Sequence, residues 1–194
     1  MHLNREEGRR ITPADKQKTF WSEYGYLLVT VAVVFVLFRV VLQLAWVPSG
    51  SMETTIPRKS LLISLRLPYL VADPELERGD VVTFQSDELG KLLVKRVVGL
   101  PGDTISFAGG KVYVNQQELE EPYLPVQSNT TTRGDDVFSV PEGCYFMLGD
   151  NRAGSDDSRF WCDPYVPENA VRAKVLLIVS PLKENSWRGI RVAD

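Results

Sequence analysis

The sequence predicts a mainly β domain, a folded sheet or partial barrel, behind one N-terminal membrane-spanning helix. Two observations carry this. Leu27 to Val47 is a run of 21 residues whose single charge is Arg39; as a helix it would span roughly 31 Å, about one bilayer core. From Pro48 onward the apolar residues fall instead into short runs separated by turn signals, and no long amphipathic helix follows.

The elements are justified in order. Residues 1–23 are polar and mixed in charge, with Arg5, Arg9, Arg10, Lys16 and Lys18 against Glu6, Glu7, Asp15 and Glu23. Residues 24–47 form the expected anchor. A cleavable signal peptide would have a shorter core, a shorter leader and a small-residue exit, whereas this core is long and leaves through "WVPSGS". A buried helix of a soluble protein is seldom apolar on every face. The run therefore reads as a retained anchor, with Arg39 snorkelling to an interface and Trp46 at headgroup level. Five Lys/Arg precede it and three follow closely, Arg58, Lys59 and Arg66. This bias places the N-terminus in the cytoplasm and residues 48–194 on the opposite side.

Within residues 48–194, "SLLISLRL" (60–67), "DVVTFQ" (80–85), "KLLVKRVVGL" (91–100), "TISF" (104–107), "KVYVN" (111–115), "CYFML" (144–148) and "VLLIVS" (175–180) are the expected strands. Gly109-Gly110 marks a tight hairpin, and "SNTTTRGDD" (128–136) reads as an exposed loop. Lys91 and Lys174 fall at strand ends and are expected in solvent.

Composition excludes several classes. A net charge of -3 gives no basic field for nucleic acid. Cys144, Cys162 and His2 cannot supply the roughly four N or S ligands of a zinc site, so neither metal nor organic cofactor is expected. The two cysteines read equally as one disulfide or two free thiols. His2 is the one histidine, in the polar tail, which removes Ser-His-Asp, Cys-His and H-E-x-x-H chemistry together. A hydrolase on this chain must use Lys, Asp or Glu as its base.

That exclusion bears on "VPSGSMETTI", residues 47–56, where two serines flank a glycine just after the anchor. One reading is a polar loop. The other is a nucleophile at the membrane surface, which needs a base to take the serine proton. A lysine serves if burial lowers its pKa. In "LLVKRVVGL" strand alternation puts Leu93, Lys95 and Val97 on one face and Val94, Arg96 and Val98 on the other. Lys95 thus leaves its strand between apolar neighbours, although a lone strand lysine is more often a snorkelling edge residue. The third stretch, "GDNRAGSDDSR" (149–159), puts two arginines, three aspartates and two serines directly after an apolar strand. It suits a polar network with Ser155 near an amine and Asp157 paired with Arg159.

In this order behind an anchor, "PSGSM", "RGDVVTF", "LVKRVVGLPGD" and "GDNRAGSDDSR" resemble the type I signal peptidase family, membrane-bound Ser/Lys endopeptidases. The resemblance covers the anchor and most of residues 48–180, and its single anchor is similar to the compact bacterial or thylakoid type. It implies a signal-peptidase-like catalytic domain with Ser51 as nucleophile and Lys95 as general base. It implies an oxyanion hole made by the Ser49 hydroxyl and the Ser51 amide. Ser155 would orient the lysine amine, Asp157 and Arg159 would form a supporting ion pair, and Asp150 and Arg152 would belong to the same box. Val47, Met52, Ile56, Leu93 and Val94 would line small substrate pockets. The implied partners are preprotein signal peptides with small residues at -1 and -3, the lipid bilayer, and an export translocase nearby.

One departure stands out: Thr54 occupies the place of the family's usual proline, which puts the rigidity of the loop in question. Two alternatives remain open at this stage, a self-cleaving repressor-type Ser/Lys protease and a catalytically silent, membrane-tethered binding protein. The tripeptides Arg78-Gly79-Asp80 and Arg133-Gly134-Asp135 are read as turn chemistry, not adhesion motifs.

Overall fold

The computed structural model describes residues 13–71, 75–134, 136–180 and 190–193. The first twelve residues of the expected cytoplasmic tail, His2 among them, and Asp135 of the 128–136 loop lie outside the described residues. The chain forms two compact units, Met1–Arg39 and Val40–Asp194.

The first unit contains helix α1, Pro13–Val36. Proline suits its first position, where the missing N–H would have no intrahelical partner. Val29, Phe35 and their neighbours are exposed on every side of the helix. The stretch Trp21–Val41, with mean hydropathy 2.2 and none of it buried, is long and apolar enough to cross a membrane. Two boundaries differ from expectation. The helix begins ahead of Tyr24, and helical structure does not run on to Val47. It passes through a π-helical turn, Leu37–Val41, and Leu42–Trp46 is instead strand β1. The reason is pairing: β1 lies antiparallel to β2, Leu61–Leu65, in register from Leu42 opposite Leu65 to Trp46 opposite Leu61. Hydropathy cannot distinguish an apolar strand from the last turns of an apolar helix.

The second unit is mainly β; among the described residues all its strand pairs are antiparallel, with two short helical turns at Pro68–Val71 and Glu168–Ala170. Its larger sheet adds β3 (Val81–Ser86), β4 (Lys91–Gly99), β9 (Cys144–Leu148), β10 (Tyr165–Pro167) and β11 (Val171–Val179). Their order is β1-β2-β11-β3-β4-β9-β10, with β12 (Ile190–Val192) beside β11. Among the described residues the order is an open path and not a closed ring. Register shifts at Val175/Leu177, Val171/Ala173 and Val97/Gly99 interrupt it, and such bulges bend and twist a sheet. A smaller sheet has the order β7-β6-β5-β8, formed by Gln117–Glu118, Lys111–Val114, Thr104–Ala108 and Val137–Ser139. Between β5 and β6, Gly109 and Gly110 have φ of 57° and 80°, the conformation of a two-residue type I′ hairpin.

Each expected strand is present. The short β7, β8, β10 and β12 escaped notice because runs of two or three residues carry no period. Lys174 is not at a strand end. It is the fourth residue of β11, half-buried, with Nζ 2.6 Å from Asp80. Nor is the 128–136 loop exposed throughout, since Thr130 is only 4% exposed.

Three apolar clusters hold the unit. Val47, Met52, Ile56, Leu62, Val81, Val175 and Ile178 seat the 47–56 loop on the larger sheet. Val82, Phe84, Val97, Tyr145 and Met147 belong to a second cluster. Val98, Ile105, Val112, Val140, Phe146 and Leu148 join the two sheets. Each fully buried side chain of this size contributes about 1.5–3 kcal/mol. At the junction Gly99 has no room for a methyl group: a Cβ would lie 2.8 Å from Phe146 Cβ and 2.9 Å from Val140 Cγ2. Gly99→Ala is expected to cost about 1–3 kcal/mol through overpacking and to lower the thermal midpoint of the detergent-solubilised chain. An unchanged midpoint would contradict this packing.

Candidate active site

The Ser-Gly-Ser segment opens the connection between β1 and β2. Val47 N–H donates to the Ser60 carbonyl (3.0 Å) and Lys59 N–H to the Val47 carbonyl (2.8 Å), extending the hairpin. The chain then leaves the sheet and returns through a turn in which Ile56 N–H reaches the Met52 carbonyl at 2.7 Å. Met52 and Ile56, both 0% exposed, pin that turn to the core. Ser51 is half-buried at its start. Thr54 has a φ of 137°, which the ring of proline forbids. The threonine therefore accompanies a different backbone path, and the loop takes its rigidity from buried Met52 and Ile56 and from the Thr55 hydroxyl, which donates to Asp150 Oδ2.

Lys95 lies on β4, paired with β3 on one side; the same strand pairs with β9 on the other. It is 2% exposed. Its amine Nζ donates to Ser155 Oγ at 2.8 Å. Burial pulls its pKa from 10.5 down to about 8, while the Asp157 and Asp156 charges pull the other way and Arg159 assists burial. A pKa near 8 leaves roughly one amine in ten neutral at pH 7, against fewer than one in a thousand for a solvated lysine. Lys91, at the start of the same strand, is exposed as expected.

Gly149 brings the pieces together. A Cβ there would lie 2.1 Å from Ser155 Oγ and 2.4 Å from the Ser51 carbonyl oxygen, so only glycine lets both approach this backbone. Its N–H donates to Asp157 Oδ2 at 2.9 Å. Asp157 also receives Arg159 Nε (2.8 Å) and Nη2 (2.9 Å), with both side chains 0% exposed. Arg159 reaches on to the carbonyls of Thr131 and Arg152, each at 2.9 Å.

Asp150 and Arg152, grouped together by the sequence, have different partners. Asp150 is held by Arg96, with Nε to Oδ1 at 3.0 Å and Nη2 to Oδ2 at 2.9 Å, both residues at about 1% exposure. Arg152 Nη1 bonds Glu121 Oε2 (2.8 Å) and the Thr130 hydroxyl (2.9 Å), and its Nε donates to the Gly149 carbonyl (3.1 Å). Tyr123 lies with its ring 3.8 Å from the Arg96 guanidinium carbon. Sequence reasoning missed Arg96, Thr55, Glu121, Tyr123, Thr130 and Asn151. Arg96 carried a usable signal, a second cation inside an apolar strand; Glu121 and Thr130 carried none, because only folding brings them near.

Ser49 and Ser51 lie at a cavity of about 130 Å³ lined also by Val47, Leu93, Val94 and Leu62. Met52 and Ile56 do not line it; they pack in the cluster that contains Val47 and Leu62. A larger recess of about 480 Å³ runs past Asp80, Tyr123 and Lys174, away from both serines. Its cations are committed, Arg78 to Asp103 at 2.9 Å and Lys174 to Asp80. Cys144 and Cys162 are both free thiols. A lysine amine near neutrality, held by a hydroxyl beside a second serine at the mouth of an apolar cavity, can perform acyl transfer.

Comparison with known proteins gives the family. The family model described as "Signal peptidase, peptidase S26" matches residues 21–180. A probable signal peptidase I-2 of Synechocystis sp. is 32% identical over 84% of this chain and 74% of its own length. A signal peptidase I of Leptolyngbya laminosa is 33% identical over 73% of this chain and 70% of its own. A crystal structure of a signal peptidase I from Enterococcus faecalis V583 aligns at 32% identity and a TM-score of 0.45, covering 52% of this chain and 97% of that one. The chain belongs to the signal peptidase family, peptidase S26.

Asp156 is exposed, and its charge favours the Lys95 ammonium. Asp156→Asn is therefore expected to move the Lys95 titration to lower pH, by more at low salt than at high salt. NMR of lysine labelled at Cε would follow it; a shift to higher pH would reverse the electrostatic assignment.

Proposed function

We propose that this protein is a membrane-anchored serine endopeptidase that removes N-terminal signal peptides from exported preproteins by a Ser/Lys mechanism. The observation that carries the reading is the desolvated Lys95 amine, 2.8 Å from Ser155 Oγ, in a site that also holds Ser51. In this reading neutral Lys95 takes the proton from Ser51 Oγ as that oxygen bonds the scissile carbonyl carbon. The negative charge passes to the carbonyl oxygen, which receives hydrogen bonds from the Ser49 hydroxyl and the Ser51 amide. Removing one donor of this kind typically costs roughly 3–4 kcal/mol. The intermediate collapses, the C–N bond breaks, and the Lys95 ammonium protonates the departing amine. The neutral lysine then takes a proton from water as its oxygen bonds the acyl carbon; the ester C–O bond breaks, Lys95 returns that proton to Ser51 Oγ, and the new carboxyl terminus is released.

Val47, Leu93 and Val94 around a small cavity support a preference for alanine-sized residues at -1 and -3. Trp21–Val41 is the proposed anchor, with the N-terminus cytoplasmic and the β unit across the bilayer, where a translocase would deliver preproteins. A silent tethered binding protein has no use for a lysine stripped of solvent, and burying it costs stability.

Three outcomes are expected in a cleavage assay with a model preprotein. Ser51→Ala and Lys95→Met lose turnover while keeping the fold, since the methionine stem still packs; Lys95→Arg fails too, because guanidinium stays protonated. Wild-type activity rises with pH through about 8, the Lys95 value. Ser155→Ala lowers kcat far more than it changes KM. Appreciable turnover in either Lys95 variant would assign the base elsewhere. For topology, protease added to right-side-out vesicles is expected to digest the β unit; full protection would reverse the orientation.

A further inference from the structure

We infer that Asn151 is a positioning residue for the oxyanion hole, holding the peptide units on both sides of the Ser51 Cα. Asn151 Nδ2 donates to the Gly50 carbonyl at 2.9 Å, and Asn151 N–H donates to the Ser51 carbonyl at 3.0 Å. The first carbonyl precedes Ser51 and the second follows it, so one residue pins both peptide planes that meet at the nucleophile. No cis peptide bond occurs among the described residues. In a trans unit the carbonyl and the N–H point in opposite directions. Fixing the Gly50 oxygen therefore fixes the direction of the Ser51 N–H, and a donor on that oxygen polarises the unit and strengthens the N–H as a donor.

The Asn151 amide is itself clamped. Its Oδ1 accepts from Gly154 N–H at 3.2 Å. Gly154 lies against it so closely that a Cβ there would be 2.7 Å from Nδ2 and 3.1 Å from Cγ. Gly50 itself is buried. The rest of the loop has separate anchors in Met52, Ile56 and the Thr55–Asp150 bond. The Gly50 oxygen also accepts from Glu53 N–H at 3.0 Å within the turn itself, so losing the Asn151 side chain leaves that peptide with one donor in place of two and does not release the loop. Asn151 touches no reacting atom in this scheme; it acts through the Ser51 amide.

The inference rests on Ser51 being the nucleophile, and the test separates the two. With a model preprotein, Asn151→Ala is expected to lower kcat on the order of 10- to 100-fold, less than outright loss of a donor. KM and the pKa of the acid limb should stay as in the wild type, because Asn151 carries no charge. The specific readout uses a peptide boronate ending in alanine, which forms a tetrahedral adduct on a serine, and the matching carboxylate peptide, which does not. Asn151→Ala should weaken the boronate by about the same factor as kcat and leave the carboxylate peptide unchanged. Asn151→Asp preserves shape and the Gly154 bond while setting an oxygen against the Gly50 carbonyl. Compared at plateau pH, it should lose at least as much, and it decides the matter if Asn151→Ala fails to fold. Wild-type kcat and boronate affinity in either folded variant, with Ser51→Ala inactive, would overturn the role of Asn151 alone. A shifted acid limb in Asn151→Ala would overturn it too, placing the effect on Lys95. Full activity in Ser51→Ala would overturn the nucleophile assignment and this inference together.

Discussion

The site depends on keeping the Lys95 amine out of water without handing it a carboxylate. Burial alone would lower its pKa, and a nearby aspartate would undo that by stabilising the ammonium. Asp157 and Asp150 are both close enough to act in that direction. Each is already engaged by an arginine through two hydrogen bonds, Arg159 on Asp157 and Arg96 on Asp150. The hydrogen-bond partner left to the amine is Ser155, whose hydroxyl is uncharged. The arginines therefore do more than neutralise acids: they keep the acids from claiming the lysine.

This arrangement sets demands on the fold. Four cations, Lys95, Arg96, Arg152 and Arg159, are each at most 3% exposed. Removing one partner of such a buried pair costs about 3–5 kcal/mol, because the other is left charged and alone. The carboxylates must consequently come from fixed positions. The 149–159 loop supplies Asp150 and Asp157 directly after β9. Glu121 and Thr130 reach Arg152 from the segment that follows β7. The smaller sheet thereby contributes to the site without providing any reacting group. Its apolar attachment through Ile105, Val140 and Phe146 is what holds that segment in place.

Much of this was legible in the chain. The strands of residues 60–100 and 104–115 and the Gly109-Gly110 hairpin follow from local periodicity and turn chemistry, and an apolar N-terminal span follows from its uncharged run, though the sequence reads it as 24–47 where the structure has Trp21–Val41. Lys95 and the 149–159 box stand out by residue type and order once histidine is excluded, and the resemblance to the signal peptidase family is what singles out Ser51 as the expected nucleophile. The boundary at Leu42 was not legible, since an apolar run of five residues suits a strand or a helix equally and its partner lies some twenty residues on. The partners of Asp150 and Arg152 were not legible either. The resemblance places both in one box without naming their partners; Asp150 meets Arg96, and Arg152 meets Glu121 thirty-one residues earlier.

The sequence by itself determined which chemistry was available: one remote histidine, a serine just past the apolar run, and a lysine inside an apolar strand. These are properties of residue type and short-range order, and they need no contacts to be read. Only the tertiary structure decided how that chemistry is set. The lysine pKa depends on what surrounds the amine in space, the carbonyls of Gly50 and Ser51 accept hydrogen bonds from Asn151 a hundred residues later, and the approach of Ser155 to the Ser51 carbonyl needs the missing side chain of Gly149. Desolvation and hydrogen-bond direction are set by groups distant in sequence, so they exist only once the sheets have brought those groups together.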